Sequence, residues 1–245
     1  MFLDFHCHLQ HPAFQGIKGI VEKMVEKNVF AVNTGFNIQG NKKTLEQSGK
    51  YKNLYAAIGL SPHDVLKSDL DEELEFIESH ASEIVAIGEI GLDFHYFKNP
   101  DEQKKQQTAF LAQMELAEKL KKPVVVHSRD AEEKCIEIMA SFKTPGVLHF
   151  FLEPKLLNKA LDAGLYVSIP TVKSKDQKKL FMAVPLDRVF LETDSPYGLI
   201  NLKERNEPSN VFTSYERLAE LRRMPLKELE LMISNNFRKI TRQSA

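Results

Sequence analysis

The chain has 245 residues, of which 42% are hydrophobic and 27% are charged, and its formal net charge is −1. This balance is typical of a globular protein and excludes a largely disordered chain. The near-neutral charge excludes a global basic field that would gather nucleic acid. A polyanionic substrate would therefore have to be attracted by local residues or by bound metal ions.

Short apolar runs alternate with longer amphipathic stretches along the whole chain. The predicted strands are residues 2–5, 29–34, 54–59, 84–88, 123–127, 146–150, 165–169 and 188–192. The predicted helices lie near residues 17–27, 40–50, 69–80, 101–121, 130–142, 154–163, 174–183, 213–223 and 225–235. Such alternation implies parallel strands joined by crossover helices. About eight strands in a chain of this length predict a single α/β domain over residues 1–245, a (β/α)8 TIM-type barrel with extra C-terminal helices. A doubly wound open sheet is the alternative.

Five of the apolar runs end in residue types that commonly bind metal ions. These residues are His6 and His8, Glu89, His127, His149 and Asp194. A buried strand is normally apolar throughout, because a polar group there costs free energy unless it is satisfied. The carboxyl ends of barrel strands all face one mouth, whereas an open sheet usually gathers its site at one switch point, so the spread of these residues favours the barrel. Imidazole and carboxylate ligands together predict one or two divalent ions, with Zn, Mn or Mg as the candidates.

Each candidate ligand also has a simpler interpretation. His6 and His8 lie two residues apart on a strand, so both rings can reach one ion, although they could also be a surface or core pair. Glu89 follows a buried run, and its two oxygens could bridge two ions or could pair with a Lys or Arg. A lone histidine at a strand end, such as His127 or His149, is more often structural. Each is a candidate ligand only because other strands end in candidate ligands as well.

Carboxylates near the last strand predict the chemistry of the site. Asp194 could bind a metal ion and accept a proton from an attacking water, or it could cap a turn before Pro196. Glu192 lies two residues earlier on the same strand, so we expect it to face the same interior and to hold a ligand or a water in place.

Asp93 follows the fourth predicted strand and is a weaker candidate for the site, because it could equally cap the loop that follows it.

Three loop residues are candidate substrate contacts. His63 follows the third predicted strand and could reach a substrate phosphate. Arg129 and Arg205 lie in loops on the expected active face, and guanidinium groups suit phosphate through paired hydrogen bonds. A solvated side chain without function is the ordinary interpretation of any one of them.

The motifs, taken in order, resemble those of a known family. H-C-H at 6–8, G-E-I-G-L-D at 88–93, H-S-R-D-A at 127–131, E-T-D-S-P at 192–196 and R-N-E-P at 205–208 are similar to the TatD-type metal-dependent deoxyribonucleases of the amidohydrolase superfamily. The resemblance runs from about Asp4 to about Asn236. It implies a (β/α)8 barrel with one or two divalent ions and with Glu89 shared between them. The implied ligands are His6, His8, Glu89, His127, His149 and Asp194.

The sequence departs from this family at three positions that surround the motifs. Residues 149–153 read H-F-F-L-E where the family usually has H-C-F-S-G, and residues 59–63 read G-L-S-P-H where it usually has G-x-H-P-H. Gln10 stands where the family usually has Asp. None of these changes removes a matched ligand, so they bear on substrate contacts and loop shape.

The function predicted from these residues is hydrolysis of a phosphodiester in DNA, with Asp194 and Glu89 as catalytic residues. A concave barrel mouth suits a terminal phosphate, which agrees with exonuclease action on strand ends as the resemblance implies. The alternatives are hydrolysis of a small ester, lactone, amide or phosphotriester, and a non-catalytic barrel that only binds. Six buried ligands argue against the last alternative, because they are costly to bury without a metal.

Three features bear on where the protein acts and on its partners. The two cysteines form no disulfide framework or CxxC pair, so we expect reduced thiols. The N-terminus lacks a basic region followed by an apolar stretch, and no apolar run approaches the roughly 20 residues that span a bilayer. We therefore expect a cytoplasmic protein without a membrane partner, and no obligatory protein partner is visible.

Overall fold

Strands and helices alternate along the chain in the computed structural model, which describes residues 1–198 and 205–242. Eight parallel strands form one sheet in the order of the chain. The strands are β1 (Phe2–Cys7), β2 (Val29–Thr34), β3 (Leu54–Ile58), β4 (Ala86–Asp93), β5 (Val124–Arg129), β6 (Gly146–Leu148), β7 (Tyr166–Pro170) and β8 (Val189–Glu192). The helices are α1 (Lys18–Glu26), α2 (Ile38–Lys50), α3 (Leu70–Ser79), α4 (Pro100–Leu120), α5 (Glu132–Ala140), α6 (Leu157–Asp162), α7 (Lys175–Ala183), α8 (Val211–Arg222) and α9 (Leu226–Thr241). This is the predicted (β/α)8 barrel, and α9 extends the chain beyond the eight strand–helix pairs.

The barrel closes between β1 and the segment that follows β8. The backbone N–H of Asp194 donates to the carbonyl of His6 at 2.9 Å, and that of His8 donates to the carbonyl of Ser195 at 2.7 Å. The buried carboxylate of Asp4 accepts the backbone N–H and the hydroxyl of Thr193, at 2.7 and 2.6 Å. These bonds place His6 and His8 beside Asp194, the last candidate ligand in the chain.

The helices bury the apolar stripes that the sequence pattern predicts. Helix α4 begins after Asn99, whose side chain accepts the N–H of Asp101, and it buries Phe110, Met114 and Ala117 against the sheet side. Helix α9 continues beyond the predicted end at 235, because apolar residues keep helical spacing through Ile240. Among the residues that the structure describes, no helix is both long and apolar enough to cross a bilayer.

Strand β4 differs most from its predicted bounds of 84–88, since it runs from Ala86 to Asp93. Glycine makes this extension possible. Gly91 has a φ of 131°, and a Cβ there would lie 2.1 Å from the carbonyl oxygen of His127. Any other residue would therefore force β4 and β5 apart. Glu89 lies within this strand rather than after its end, which points its carboxylate into the barrel mouth.

Candidate metal centre

The six predicted ligands converge at the carboxyl ends of the barrel strands. Their ligand atoms form overlapping groups whose members lie within 4.8 Å of one another. The ligands are His6 on β1, His8 just after it, Glu89 on β4, His127 on β5, His149 just after β6 and Asp194 two residues after β8. Their separation along the chain shows that the barrel, and not a local motif, assembles the centre.

The first group of ligand atoms fits around one ion. The Nε2 atoms of His6 and His8 lie 3.0 Å apart. Oε2 of Glu89 lies 3.7 and 3.4 Å from these two nitrogens, and Oδ1 of Asp194 lies 3.6 and 3.5 Å from them. A tetrahedral ion with bonds of about 2.0–2.2 Å separates its ligand atoms by about 3.3–3.6 Å. The observed spacings scatter around that value.

The second group uses the other oxygen of the same glutamate. Oε1 of Glu89 lies 2.9 Å from Nδ1 of His127 and 3.4 Å from Nε2 of His149. The two imidazole nitrogens are 3.3 Å apart. Glu89 therefore directs one oxygen to each pair of histidines, which is the arrangement of a carboxylate that bridges two ions.

The protonation states of His6 and Glu89 suit metal binding. Burial, reinforced by the neighbouring His149 and His8, lowers the pKa of His6 well below its ordinary value, so its ring is neutral. Nδ1 of His6 is buried and has no hydrogen-bond partner among the described residues, while Nε2 faces the cluster. Burial acts against ionisation of Glu89, but hydrogen bonds from His127 and His149 outweigh it and hold its pKa well below the ordinary value. The donor set thus fits divalent cations.

Neighbouring acceptors fix the orientation of the histidine rings. Nδ1 of His8 lies 2.7 Å from the carbonyl oxygen of Thr34, so that nitrogen carries the proton and Nε2 is free to bind a cation. Glu192 is fully buried, and its Oε1 accepts the N–H of Phe150 at 2.6 Å and lies 3.5 Å from Nδ1 of His149. The sequence prediction placed Glu192 in this supporting position.

Asp194 reaches the centre through an uncommon backbone conformation. Its φ is 54°, in the left-handed region that residues other than glycine seldom adopt. Besides its own N–H bond to His6, its carbonyl accepts the N–H of Tyr197 at 2.8 Å. Strained residues of this kind cluster at functional sites. The side chain of Asp194 is 13% exposed, so it faces both the ligand cluster and the cavity above it.

A cavity of about 850 Å³ lies over the metal centre. His63 and Arg129 line it, as the sequence suggested, and the side chain of His63 is 42% exposed. Two exposed tyrosines, Tyr96 and Tyr197, also line it. The guanidinium carbon of Arg129 lies 4.8 Å from the centroid of the Tyr96 ring. The cavity therefore offers a guanidinium group and an imidazole ring for phosphate, and aromatic faces for a flat ligand.

Arg205 lies beside this cavity and does not line it. Its guanidinium carbon is 5.4 Å from the centroid of the Phe14 ring. It contributes to a separate depression that also includes Lys23 and Glu207, whose side chains form an ion pair at 2.9 Å. The loop carrying R-N-E-P thus places its arginine against Phe14, in this separate depression. Residues 199–204, which precede it, lie outside the described part of the chain.

Sequence reasoning missed three features of the site. The first two are Tyr96 and Tyr197; both follow strand-end motifs, yet their exposure cannot be read from the sequence. The third is the double contact of Asp93, whose Oδ2 lies 3.1 Å from Nε2 of both His63 and His127. Those hydrogen bonds outweigh burial and hold the pKa of Asp93 below its ordinary value. Its expected capping role is also present, because Oδ1 accepts the N–H of Tyr96 at 2.8 Å.

Comparison with known proteins shows the family. The family model described as TatD related DNase matches residues 3–242. The human deoxyribonuclease TATDN3 is 33% identical, over 97% of this chain and 93% of its own length. The uncharacterized metal-dependent hydrolase YcfH of Escherichia coli is 31% identical, over 98% of this chain and 96% of its own length.

Solved structures agree with this assignment. YJJV, a TATD homolog from Escherichia coli K12, matches with a TM-score of 0.90 and 25% identity, covering 99% of this chain and 98% of that one. A dihydroorotase matches with a TM-score of 0.63 at 17% identity, which shows a shared fold alone. A whole-length family match and a barrel whose mouth carries the ligand set lead to one conclusion: the chain belongs to the TatD-related DNase family of metal-dependent hydrolases.

Proposed function

We propose that this hydrolase cleaves phosphodiester bonds in DNA and acts on strand ends. The observation that carries the proposal is the position of Glu89, with one carboxylate oxygen toward each of two histidine pairs. Two adjacent cations suit in-line displacement at phosphorus, because they stabilise both the attacking and the leaving oxygen. The name of the human relative, a deoxyribonuclease, supports DNA as the substrate.

The ligands divide between the two positions. One ion would be held by His6, His8, Glu89 and Asp194, and the other by Glu89 together with His127 and His149. When bound, divalent ions polarise a phosphoryl oxygen and lower the pKa of a water toward neutrality.

Residues of the chain carry out the remaining steps. Asp194, whose carboxylate borders the cavity, accepts the proton of the water that attacks phosphorus. His63 and Arg129 bind phosphoryl oxygens from the cavity wall, where a guanidinium group can offer two parallel hydrogen bonds. The thiols of Cys7 and Cys135 are buried, and burial raises the pKa of each, which excludes both as nucleophiles.

Action on strand ends follows from the position of the site. The interior of a (β/α)8 barrel is filled by side chains, so the cavity is closed below the ligands. A terminal phosphate can enter such a pit, whereas the middle of a duplex would have to bend into it. The net charge of −1 gives no global basic field that would gather a long duplex.

A second candidate function is hydrolysis of a small uncharged ester or lactone. Glu132 and Glu153 line the same cavity and would repel a long polyanion. Burial, together with the neighbouring Glu153 and Asp130, raises the pKa of Glu132. This acidic wall therefore favours a small substrate without negative charge over a long polyanion.

A substrate panel distinguishes the two candidates. The purified protein is assayed with added Mg²⁺, Mn²⁺ or Zn²⁺ against end-labelled single- and double-stranded DNA, closed circular DNA, RNA, a lactone and a phosphotriester. We expect shortening of DNA from its ends, and loss of that activity in Asp194→Asn, which keeps the size of the side chain but removes its charge. Nicking of closed circular DNA would refute action on ends, and turnover of the lactone alone would favour the second candidate.

A further inference from the structure

A buried carboxylate outside the six-ligand set joins the metal centre to the substrate cavity. Asp93, at the end of β4, is fully buried. Its Oδ2 lies 3.1 Å from Nε2 of His127 and 3.1 Å from Nε2 of His63. Its Oδ1 accepts the N–H of Tyr96 at 2.8 Å, and its own N–H donates to Oε1 of Gln106 at 3.0 Å. The carboxylate is therefore held on several sides.

This contact decides which nitrogen of His127 can bind a cation. Nδ1 of His127 faces Oε1 of Glu89 and Nε2 of His149, at 2.9 and 3.3 Å. With Asp93 accepting at Nε2, the proton of a neutral ring stays on that nitrogen, and the lone pair of Nδ1 points at the metal position. A carboxylate on the far nitrogen of a metal-binding histidine also raises the basicity of the ring.

The same oxygen orients His63. Because Nε2 of His63 faces Asp93, Nδ1 is the nitrogen left to face the cavity that this residue lines. In the imidazolium form both ring nitrogens carry protons, so Nε2 donates to Asp93 and Nδ1 can donate to a phosphate oxygen. Aromatic rings pack edge-on against it, with centroid distances of 5.7 Å to Tyr96, 5.8 Å to Phe97 and 5.4 Å to His127. These contacts restrict the rotation of a side chain that is otherwise accessible.

We propose that Asp93 is a positioning residue with two partners: it holds His127 for metal binding and His63 for contact with the substrate phosphate. The part concerning His127 depends only on the metal centre. The part concerning His63 rests on the proposed phosphodiesterase function. A substitution at Asp93 should therefore change both the metal affinity and the KM for DNA, whereas a substitution at His63 should change only the KM.

A competing arrangement is a further cation held by His63, Asp93 and His127, whose ligand atoms lie within 4.8 Å of one another. That arrangement would require His127 to bind cations through both nitrogens, which only the fully deprotonated imidazolate can do. A neutral ring with Nδ1 on one cation keeps its proton on Nε2, and that proton is what Asp93 accepts. The geometry therefore favours the hydrogen-bonded arrangement.

The test compares Asp93→Asn with His63→Ala, and uses His95→Ala as the matched control. His95 makes a similar contact, 3.1 Å to Asp130, but both side chains are exposed. Metal affinity is measured by competition with a chelator, and bound metal is counted per chain. We expect Asp93→Asn to weaken metal binding about 10- to 100-fold, and His63→Ala and His95→Ala to leave affinity and stoichiometry unchanged.

Kinetic measurements at saturating metal test whether Asp93 also positions His63. Asp93→Asn and His63→Ala should each raise KM for end-labelled DNA, and the double variant should match the worse single variant within about twofold, since both act through one contact. His95→Ala should keep the KM of the parent protein. Circular dichroism checks that each variant is folded, and Asp93→Glu, which keeps the charge but displaces it, replaces Asp93→Asn if that variant does not fold.

Each contrary result has a distinct meaning. Unchanged metal affinity in a folded Asp93 variant would overturn the proposal, and so would multiplicative effects of the two substitutions on KM. Loss of one bound ion in His63→Ala would establish the additional cation instead. If the parent protein cleaves no phosphodiester, the proposed function fails, yet the metal-affinity measurement still decides whether Asp93 positions His127.

Discussion

Removing the carboxylate of Asp4 should destabilise the barrel where its two ends meet. Asp4 is fully buried and accepts both the N–H and the hydroxyl of Thr193, a residue 189 positions away in the chain. Both residues adjoin the metal centre, because Asp4 is two residues before His6 and Thr193 immediately precedes Asp194. The contact therefore bears on stability and on the ligand geometry together.

The magnitude follows from the donors of Thr193 that Asp4 accepts. In Asp4→Ala the backbone N–H of Thr193 loses its acceptor, which costs about 1–3 kcal/mol, whereas the hydroxyl can still donate to Oγ of Ser195 at 3.0 Å. For a chain of this length, a middle value of about 2 kcal/mol lowers Tm by about 4–8 °C. Thr193→Val should cost a similar amount, because the hydroxyl that it removes also accepts the N–H of Ser195 at 3.1 Å.

Urea unfolding followed by circular dichroism measures this loss. The experiment is done with EDTA present, since bound metal would stabilise the folded state separately. Asp176→Ala is the matched control, because its carboxylate pairs with Lys179 at 2.8 Å on the exposed surface, and such a pair contributes about 0–1 kcal/mol. A folded Asp4→Ala protein that lost less than about 1 kcal/mol would refute the role of this contact in closing the barrel.

Three further results are expected. Glu89→Gln should reduce bound metal from two ions to one per chain, since an amide nitrogen cannot bind a cation, and an unchanged count by mass spectrometry would contradict the bridging carboxylate. Tyr96→Leu should raise KM for DNA ends by a factor corresponding to about 1–3 kcal/mol of base stacking, and by more than it raises KM for a small chromogenic diester, which is sensitive only to the contacts of the Tyr96 ring with His63 and Arg129; an equal effect on both substrates would exclude stacking. Burial opposes protonation of His149, but hydrogen bonds with Glu192 and Glu89 outweigh it and raise its pKa well above the ordinary value. Protons then compete with the metal, so calorimetry should show affinity that continues to rise with pH above about 6.5, the ordinary histidine pKa, with proton release, whereas pH-independent affinity would contradict this competition.

The sequence by itself predicted the barrel architecture, which the structure confirms, and the set of candidate ligands. A run such as Val124–Val126, set between helical segments, predicts a strand covered on both faces, and a histidine at its end is then expected at the barrel mouth. The H-x-H pair at His6 and His8 is similarly readable, because residues two apart on a strand share a side. Local periodicity and strand order are sufficient for these conclusions, since neither depends on how a particular side chain is rotated.

Only the tertiary structure decided how these residues work together. The division of the two oxygens of Glu89 between histidine pairs, and the contact of Asp93 with both His63 and His127, depend on side-chain directions in strands that meet only after folding. Arg205 shows the converse, because its motif resembled a functional one and yet the loop turns its guanidinium toward Phe14. Contacts between distant residues, and the path of a loop, are set by packing in three dimensions, which a local sequence pattern does not encode.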